Sequence, residues 1–227
     1  MTVVTVSATF GAGGSEIGPA VADALGVPFV DRAIPMRVAE KLGVSVADAQ
    51  ANDETISTGL TRLISTMALV PDLAAGAGPI AYNPVPDERI FREQTEKVLH
   101  EIAAGRGGVI LGRAGALVLA GVPGALHVRL DAPAASRLER IRREHGMTEA
   151  QAERLIRDND SAREAYVRHF YRCKMTEARH YHLVIDSVRL PTATVVAVIA
   201  DAARALGGQQ NLRSESGIVD AGEERED

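Results

Sequence analysis

The chain has 227 residues, a formal net charge of −5 and one cysteine, Cys173, which excludes an internal disulfide and a Cys-rich zinc site. An acidic balance argues against a nucleic-acid coat or a polybasic membrane anchor. No apolar run approaches the roughly 20 residues of a bilayer span and the first residues lack the basic region of a signal peptide, so a cytoplasmic protein without nucleic-acid or membrane partners is expected.

Of the 25 basic residues only Lys41, Lys97 and Lys174 are lysines, and about half of the arginines fall between Arg129 and Arg179. Arginine suits bidentate binding of phosphate or carboxylate, although most of these are also placed to pair with neighbouring Glu and Asp on a solvated helix surface.

The chain opens with an apolar strand, Thr2 to Val6, then Ser7-Ala8-Thr9-Phe10-Gly11-Ala12-Gly13-Gly14-Ser15, then a helix to Leu25. Strand, glycine-rich turn and helix is the order in which backbone amides and a helix N-terminus converge on a phosphate. The pattern G-x-x-x-x-G-K-[ST] would place glycine at position 8 and lysine at position 14, where this chain has Ala8 and Gly14. The helix presents Ile17, Val21, Ala24 and Leu25 as its apolar face, tolerates Pro19 near its first turn and ends at Gly26. Val27 to Asp31 reads as a second strand that delivers Asp31, and Arg32 to Leu42 as helix. Ser45-Val46-Ala47-Asp48 is a capping pattern. From Asn52 to Pro86 only Thr58 to Leu69 has helical character, and Pro71 to Pro86 reads as loop, so this stretch is the candidate for a substrate-covering insertion.

Regular structure resumes with a helix from about Pro86 to Ala104, and a strand over Gly108 to Arg113 that is continuously apolar, as a buried parallel strand should be. Ala125 to Asp131 is a further strand. Helices follow over Ala134 to His145 and Thr148 to Tyr171, the second opened by Thr148-Glu149-Ala150-Gln151. A strand over His182 to Asp186 and a helix from Ala193 to Leu206 complete the pattern, and the polar residues from Gly207 predict a disordered tail. Alternating strands and helices give an α/β, three-layer domain over residues 1–206: a parallel sheet of about five strands with helices on both faces.

Ligands of open parallel sheets bind at the carboxyl ends of the strands. Gly11 to Ser15, Asp31, Arg113 and Asp131 all fall at such ends and are expected to share one cleft. Taken in order, the opening loop through Glu16-Ile17, Pro28-Phe29-Val30-Asp31-Arg32, Val109-Ile110-Leu111-Gly112-Arg113, Asp160-Ser161-Ala162-Arg163 with Tyr166, and Val184-Ile185-Asp186-Ser187 resemble the cytidylate kinase-like group of P-loop nucleoside monophosphate kinases, whose variant loop also lacks the lysine. The resemblance runs from Thr2 to about Ala203. It implies a P-loop NTPase fold with a helical monophosphate-binding insertion at about residues 32–88 and an arginine-rich lid at about 140–180. It also implies ATP-dependent phosphorylation of a CMP-like acceptor with ATP as donor and Mg2+.

Carried over residue by residue, it assigns the donor phosphates to Gly11, Ala12, Gly13, Gly14, Ser15 and Glu16. The acceptor falls to Asp31, Arg37, Arg113, Asp160 and Arg163, charge neutralisation in catalysis to Arg137 and Arg163, and a magnesium-binding hydroxyl to Ser15. Three departures stand out: Gly14 replaces the lysine, Glu16 lies near the place of the metal-binding hydroxyl, and Leu111 replaces an aspartate beside the strand-end glycine. Phosphoryl transfer depends on positive charge around a compact anionic transition state, which the arginines can supply. Two rival readings stay open: a nucleotide-binding or sensing protein of the same fold without transfer, and a kinase of another small hydroxylated metabolite. Arg140 reads as a surface ion-pair residue, His180 and His182 as structural histidines lacking a third metal ligand, and Tyr166, Phe170 and Tyr171 as packing of the lid helix. Cys173 reads as an inert thiol, and a homodimer is left open.

Overall fold

The computed structural model describes residues 2–30 and 88–220. Five strands form one parallel sheet: β1 (Val3–Ala8), β2 (Phe29–Val30), β3 (Gly108–Leu111), β4 (Ala125–Asp131) and β5 (Leu183–Asp186), in the order β2-β3-β1-β4-β5. β1 is central, pairing Val3 with Gly108 on one side and with Ala125 on the other. Being covered on both faces, it buries Val3, Val4, Thr5 and Val6 alike, which is why its sequence is a continuous apolar run and not an alternating one.

Helices lie on both faces. On one, α1 (Gly14–Leu25) and the last helix, α6 (Thr192–Asp220), pack Ile17, Val21 and Ala22 and Val195, Ile199 and Ala203 onto Val4, Val6, Leu126 and Val128. On the other, α2 (Glu88–Ala104) and the short α3 (Gly115–Val118) bring Val98, Leu99 and Ile102, with Leu119, against Val3, Ile110 and Ala125. A third cluster joins α4 (Ala134–His145) to α5 (Glu149–Tyr171) through Ile141, Ala152 and Ile156, with Phe10 of the opening loop packed against it. α5 starts with the expected capping box: the Thr148 hydroxyl accepts from the Gln151 amide and the Gln151 side chain accepts from the Thr148 amide.

Several boundaries differ from the sequence reading. α6 continues past Leu206 to Asp220, where a disordered tail is expected; Gly207 and Gly208 adopt no positive φ, and the Gln, Leu, Arg and Glu residues beyond them are adequate helix formers. α1 buries Ala22 and leaves Ala24 exposed, because the helix is wedged between the sheet and α6 and its apolar side turns towards both. β3 stops at Leu111, since Arg113 and Ala114 turn into the left-handed region at φ 57° and 51°, and α3, absent from the sequence reading, follows at once. His180 lies in a 3-10 turn over Ala178–His180, so it and His182 do not share a strand face. The helices over 32–42 and 58–69, the 45–48 cap and the insertion lie outside the described residues.

One polar contact is built into the sheet itself. His127 on β4 stands opposite Thr5 on β1, and its Nδ1 lies 2.8 Å from the threonine hydroxyl. Its ring stacks on His182 at 5.0 Å, and its amide donates to His182 Nδ1 at 3.0 Å. Burial, aided by the neighbouring His182, lowers the pKa of His127 to about 4. Because the folded value lies below the ordinary one, the unfolded chain takes up a proton first as pH falls. The contribution is complete above the unfolded pKa of about 6.5 and is lost on acidification towards 4, amounting to about 3 kcal/mol. Denaturant unfolding at pH 7, 5.5 and 4 should therefore show a steeper loss of stability in the native protein than in His127→Gln, and equal slopes would refute the assignment.

Candidate active site

The loop between β1 and α1 is fixed from several directions. The Thr9 hydroxyl donates to Asp131 Oδ1 at 3.0 Å. The Phe10 amide donates to Asp160 Oδ1 at 2.8 Å, and the Phe10 carbonyl accepts from Arg137 Nη1 at 2.8 Å. Ser187, just beyond β5, donates its hydroxyl to the Ala12 carbonyl at 2.6 Å. Gly11 and Gly13 carry φ of 82° and 79°, a region open to glycine at little cost, and turn the chain so that α1 starts at Gly14. Among the described residues the amides of Gly13, Gly14 and Ser15 have no acceptor. They lie at the positive end of the α1 dipole, where the sequence reading expects a phosphate.

Space explains the missing lysine. A Cβ on Gly14 would lie 2.8 Å from Ala8 Cβ and 3.0 Å from Leu111 Cδ1. Ala8, Gly14 and Leu111 are one packing solution: Ala8 and Leu111 fill the volume from which a side chain at position 14 would start.

A cavity of about 640 Å³ opens over the loop. It is lined by Gly11, Gly13, Gly14 and Ser15, by Arg113 after β3, by Arg140 and Glu144 of α4, and by Arg163 and Tyr166 of α5. Arg163 donates from Nη1 to the Ala8 carbonyl at 3.0 Å and stacks its guanidinium 5.8 Å from the Phe10 ring centroid. Burial pushes the Tyr166 phenol up, and the nearby Arg113 acts in the opposite direction. The aromatic end of α5 is tied to α2 as expected of packing residues: Tyr171 donates to Glu96 at 3.0 Å, Arg92 pairs with Glu96 at 3.0 Å, and Arg92 covers Phe170.

Other predicted residues do not line the cavity. Arg137 is 7% exposed and has three donors engaged, with the Phe10 carbonyl, with Ala132 O at 3.1 Å and with Asp160 Oδ2 at 2.7 Å. Arg137 and Asp160 therefore sit behind the loop and lock it to α4 and α5, with their polar groups turned to each other and to Phe10. Asp131 also lies beneath the loop and not in the cleft, held by Thr9 and by the buried Arg129 at 3.1 Å. Ala12 is buried, facing Ser187 through its carbonyl. Glu16 accepts from Arg140 at 2.6 Å and from the Thr192 hydroxyl at 3.1 Å. Asp31 and Arg37 lie outside the described residues.

Arg140 is the residue that the sequence reading underrates. Its Nε donates to Glu144 at 2.7 Å and its Nη2 to Glu16, and its side chain is 13% exposed. Burial opposes its charge, but the two carboxylates outweigh it and its pKa is raised. The Arg140/Glu144 spacing of four was visible as a helical ion pair, whereas the approach to the loop was not.

Removing one partner of a largely buried ion pair leaves the other uncompensated, at a cost of about 3 kcal/mol. Asp160→Ala and Arg137→Ala should each destabilise by about that amount, and the double variant by clearly less than the sum. A denaturation cycle that is additive within about 0.5 kcal/mol would show that the latch is not energetically coupled.

Among the described residues no helix is long and apolar enough to cross a membrane. The fold is similar to that of an uncharacterized protein from Eubacterium ventriosum, at a TM-score of 0.64 and 14% identity over 90% of this chain and 99% of that one. It is also similar to that of a gluconokinase from Sinorhizobium meliloti, at 0.51 and 17% over 94% and 97%. A protein of Corynebacterium glutamicum named uronate isomerase is 30% identical over 161 residues, which are 69% of this chain and 30% of that protein. The match thus spans less than a third of that relative's length. The family model of the cytidylate kinase-like family matches residues 3–189, with the loop, the five strands and the α4–α5 pair inside the match, and the chain belongs to that family.

Proposed function

We propose that the protein is an ATP-dependent phosphotransferase acting on a CMP-like nucleoside monophosphate. The observation that carries this reading is the cradle: three amides without acceptors among the described residues, at a helix N-terminus, beside a cavity lined by Arg113, Arg140 and Arg163. An oxygen of the acceptor phosphate attacks the γ-phosphorus, the bond from that phosphorus to the β–γ bridging oxygen breaks, and ADP leaves with the electron pair. Little covalent help is needed; the arginines hold the two anions together and stabilise the charge spread over the transferring group.

The donor set suits a magnesium ion carried in by the nucleotide. Ser15 supplies one hydroxyl on the cavity wall, Leu111 offers no ligand, and Glu16 is engaged by Arg140 and Thr192. Among the described residues no group of three or more His, Cys, Asp or Glu could hold a metal. Magnesium retains several waters and needs few protein ligands beside the phosphates, so Ser15 would hold it and the ion would neutralise charge between the β- and γ-phosphates.

A second reading, a kinase of a small hydroxylated acid, is favoured by the resemblance to part of a protein named uronate isomerase. Arginines accept a carboxylate as readily as a phosphate. Magnesium-dependent ATP consumption over a panel of nucleoside monophosphates and hexuronic acids separates the two. Turnover with CMP is the expected result; turnover confined to the acids would establish the second reading, and nucleotide binding without turnover would mean a sensor. In addition, Arg163→Ala should weaken monophosphate binding about tenfold, some 1.4 kcal/mol, and ATP binding less. Equal losses would remove Arg163 from the acceptor side.

A further inference from the structure

The loop lacks a cation of its own, and the packing around Gly14 leaves no room for one. A cation nevertheless reaches it from α4. A Cβ on Gly13 would lie 2.6 Å from Arg140 Nη1, so the guanidinium rests directly on the bare backbone of the cradle. Two arms of the fork are fixed: Nε by Glu144 at 2.7 Å and Nη2 by Glu16 at 2.6 Å. Glu16 is itself braced by the Thr192 hydroxyl at 3.1 Å. The third arm, Nη1, donates to no group among the described residues. Arg140 lines the cavity beside the amides of Gly13, Gly14 and Ser15, which also lack acceptors among the described residues. Arg137, one helical turn away, does not line the cavity.

We propose that Arg140 is the phosphate-contacting cation of this loop. Its Nη1 arm meets the outer phosphates of a nucleotide cradled by Gly13, Gly14 and Ser15, the task of a lysine at position 14 in the usual pattern. Glu144 and Glu16 are positioning residues: they hold the fork so that one edge faces the ligand and the other is neutralised. Glycine at position 13 then serves the contact as well as the conformation, because a side chain there would displace the arm. This inference rests on the nucleotide reading above and adds the residue that distinguishes a triphosphate from a monophosphate.

Calorimetric titration of the full chain with AMP, ADP and a non-hydrolysable ATP analogue, each with magnesium, tests it. The native protein should bind more tightly as phosphates are added. Arg140→Ala should weaken the triphosphate analogue at least tenfold while AMP stays within twofold, and Arg140→Lys should recover most of the loss. A structural role would move all three nucleotides together, and melting curves of each variant confirm that it is folded. Should Arg140→Ala prove unstable, Arg140→Lys together with Glu144→Gln carries the test, since the first should keep the preference for triphosphate and the second should weaken it severalfold. Arg140→Ala binding the triphosphate within twofold of the native protein, parallel loss of AMP and triphosphate, or no recovery with lysine would each overturn the role of Arg140 and leave the nucleotide reading standing. A native protein that binds none of the three nucleotides would overturn the nucleotide reading itself.

Discussion

One carboxylate holds the site together. Asp160 accepts from the Phe10 amide with one oxygen and from Arg137 with the other, and Arg137 closes the ring by donating to the Phe10 carbonyl. A loop rich in glycine has little rigidity of its own. Here its shape is imposed from outside, by α5 through Asp160, by α4 through Arg137, by β4 through Asp131 and by the end of β5 through Ser187. A cradle fixed before a ligand arrives avoids the cost of ordering it on binding, which is the main benefit a phosphate site gains from its surroundings.

The same ring sorts the arginines. Each guanidinium has five donors and no acceptor, so its role follows from how many of those donors the protein already occupies. Arg137 is surrounded by a carboxylate and two carbonyls and is buried, which makes it a structural cation. Arg163 makes one bond to the Ala8 carbonyl and otherwise lies over an aromatic ring on the cavity wall. Arg140 lies between these extremes. Helix α4 thus carries a structural and a cavity-lining arginine a turn apart, and the distinction depends on neighbours that are distant in sequence.

That dependence marks what was legible in the residues alone. Strands β1, β3 and β4 could be read because burial on both faces requires unbroken apolar runs, and the start of α5 because a capping box is complete within Thr148 to Gln151. The loop was legible too, since its requirements for strand, glycines and helix are local. The roles of Arg137 and Asp160 were not, because their contacts with Phe10 bridge 127 and 150 residues and no spacing rule reaches that far. Nor was the true length of α6, where paired glycines and a polar composition suggested an end that the backbone does not make. Arg140 illustrates the general difficulty: a helical ion pair with Glu144 is an adequate explanation of its presence until the fold places it on Gly13.

The crowding around Gly14 has a consequence for how such a loop can change over time. Ala8, Gly14 and Leu111 come from three separate segments of the chain, and with Ala8 and Leu111 in place no side chain fits at position 14 without a shift. A mutation that placed lysine at position 14 would push its Cβ into both neighbours, and overpacking of that kind costs about 1–3 kcal/mol, a large share of the stability of an ordinary domain. Smaller residues at 8 and 111 would have to be acquired first, each leaving a void beside the cradle with no gain until the third change. The route back to a lysine-bearing loop is therefore closed to single steps, and a lineage with this packing is held to finding its charge elsewhere.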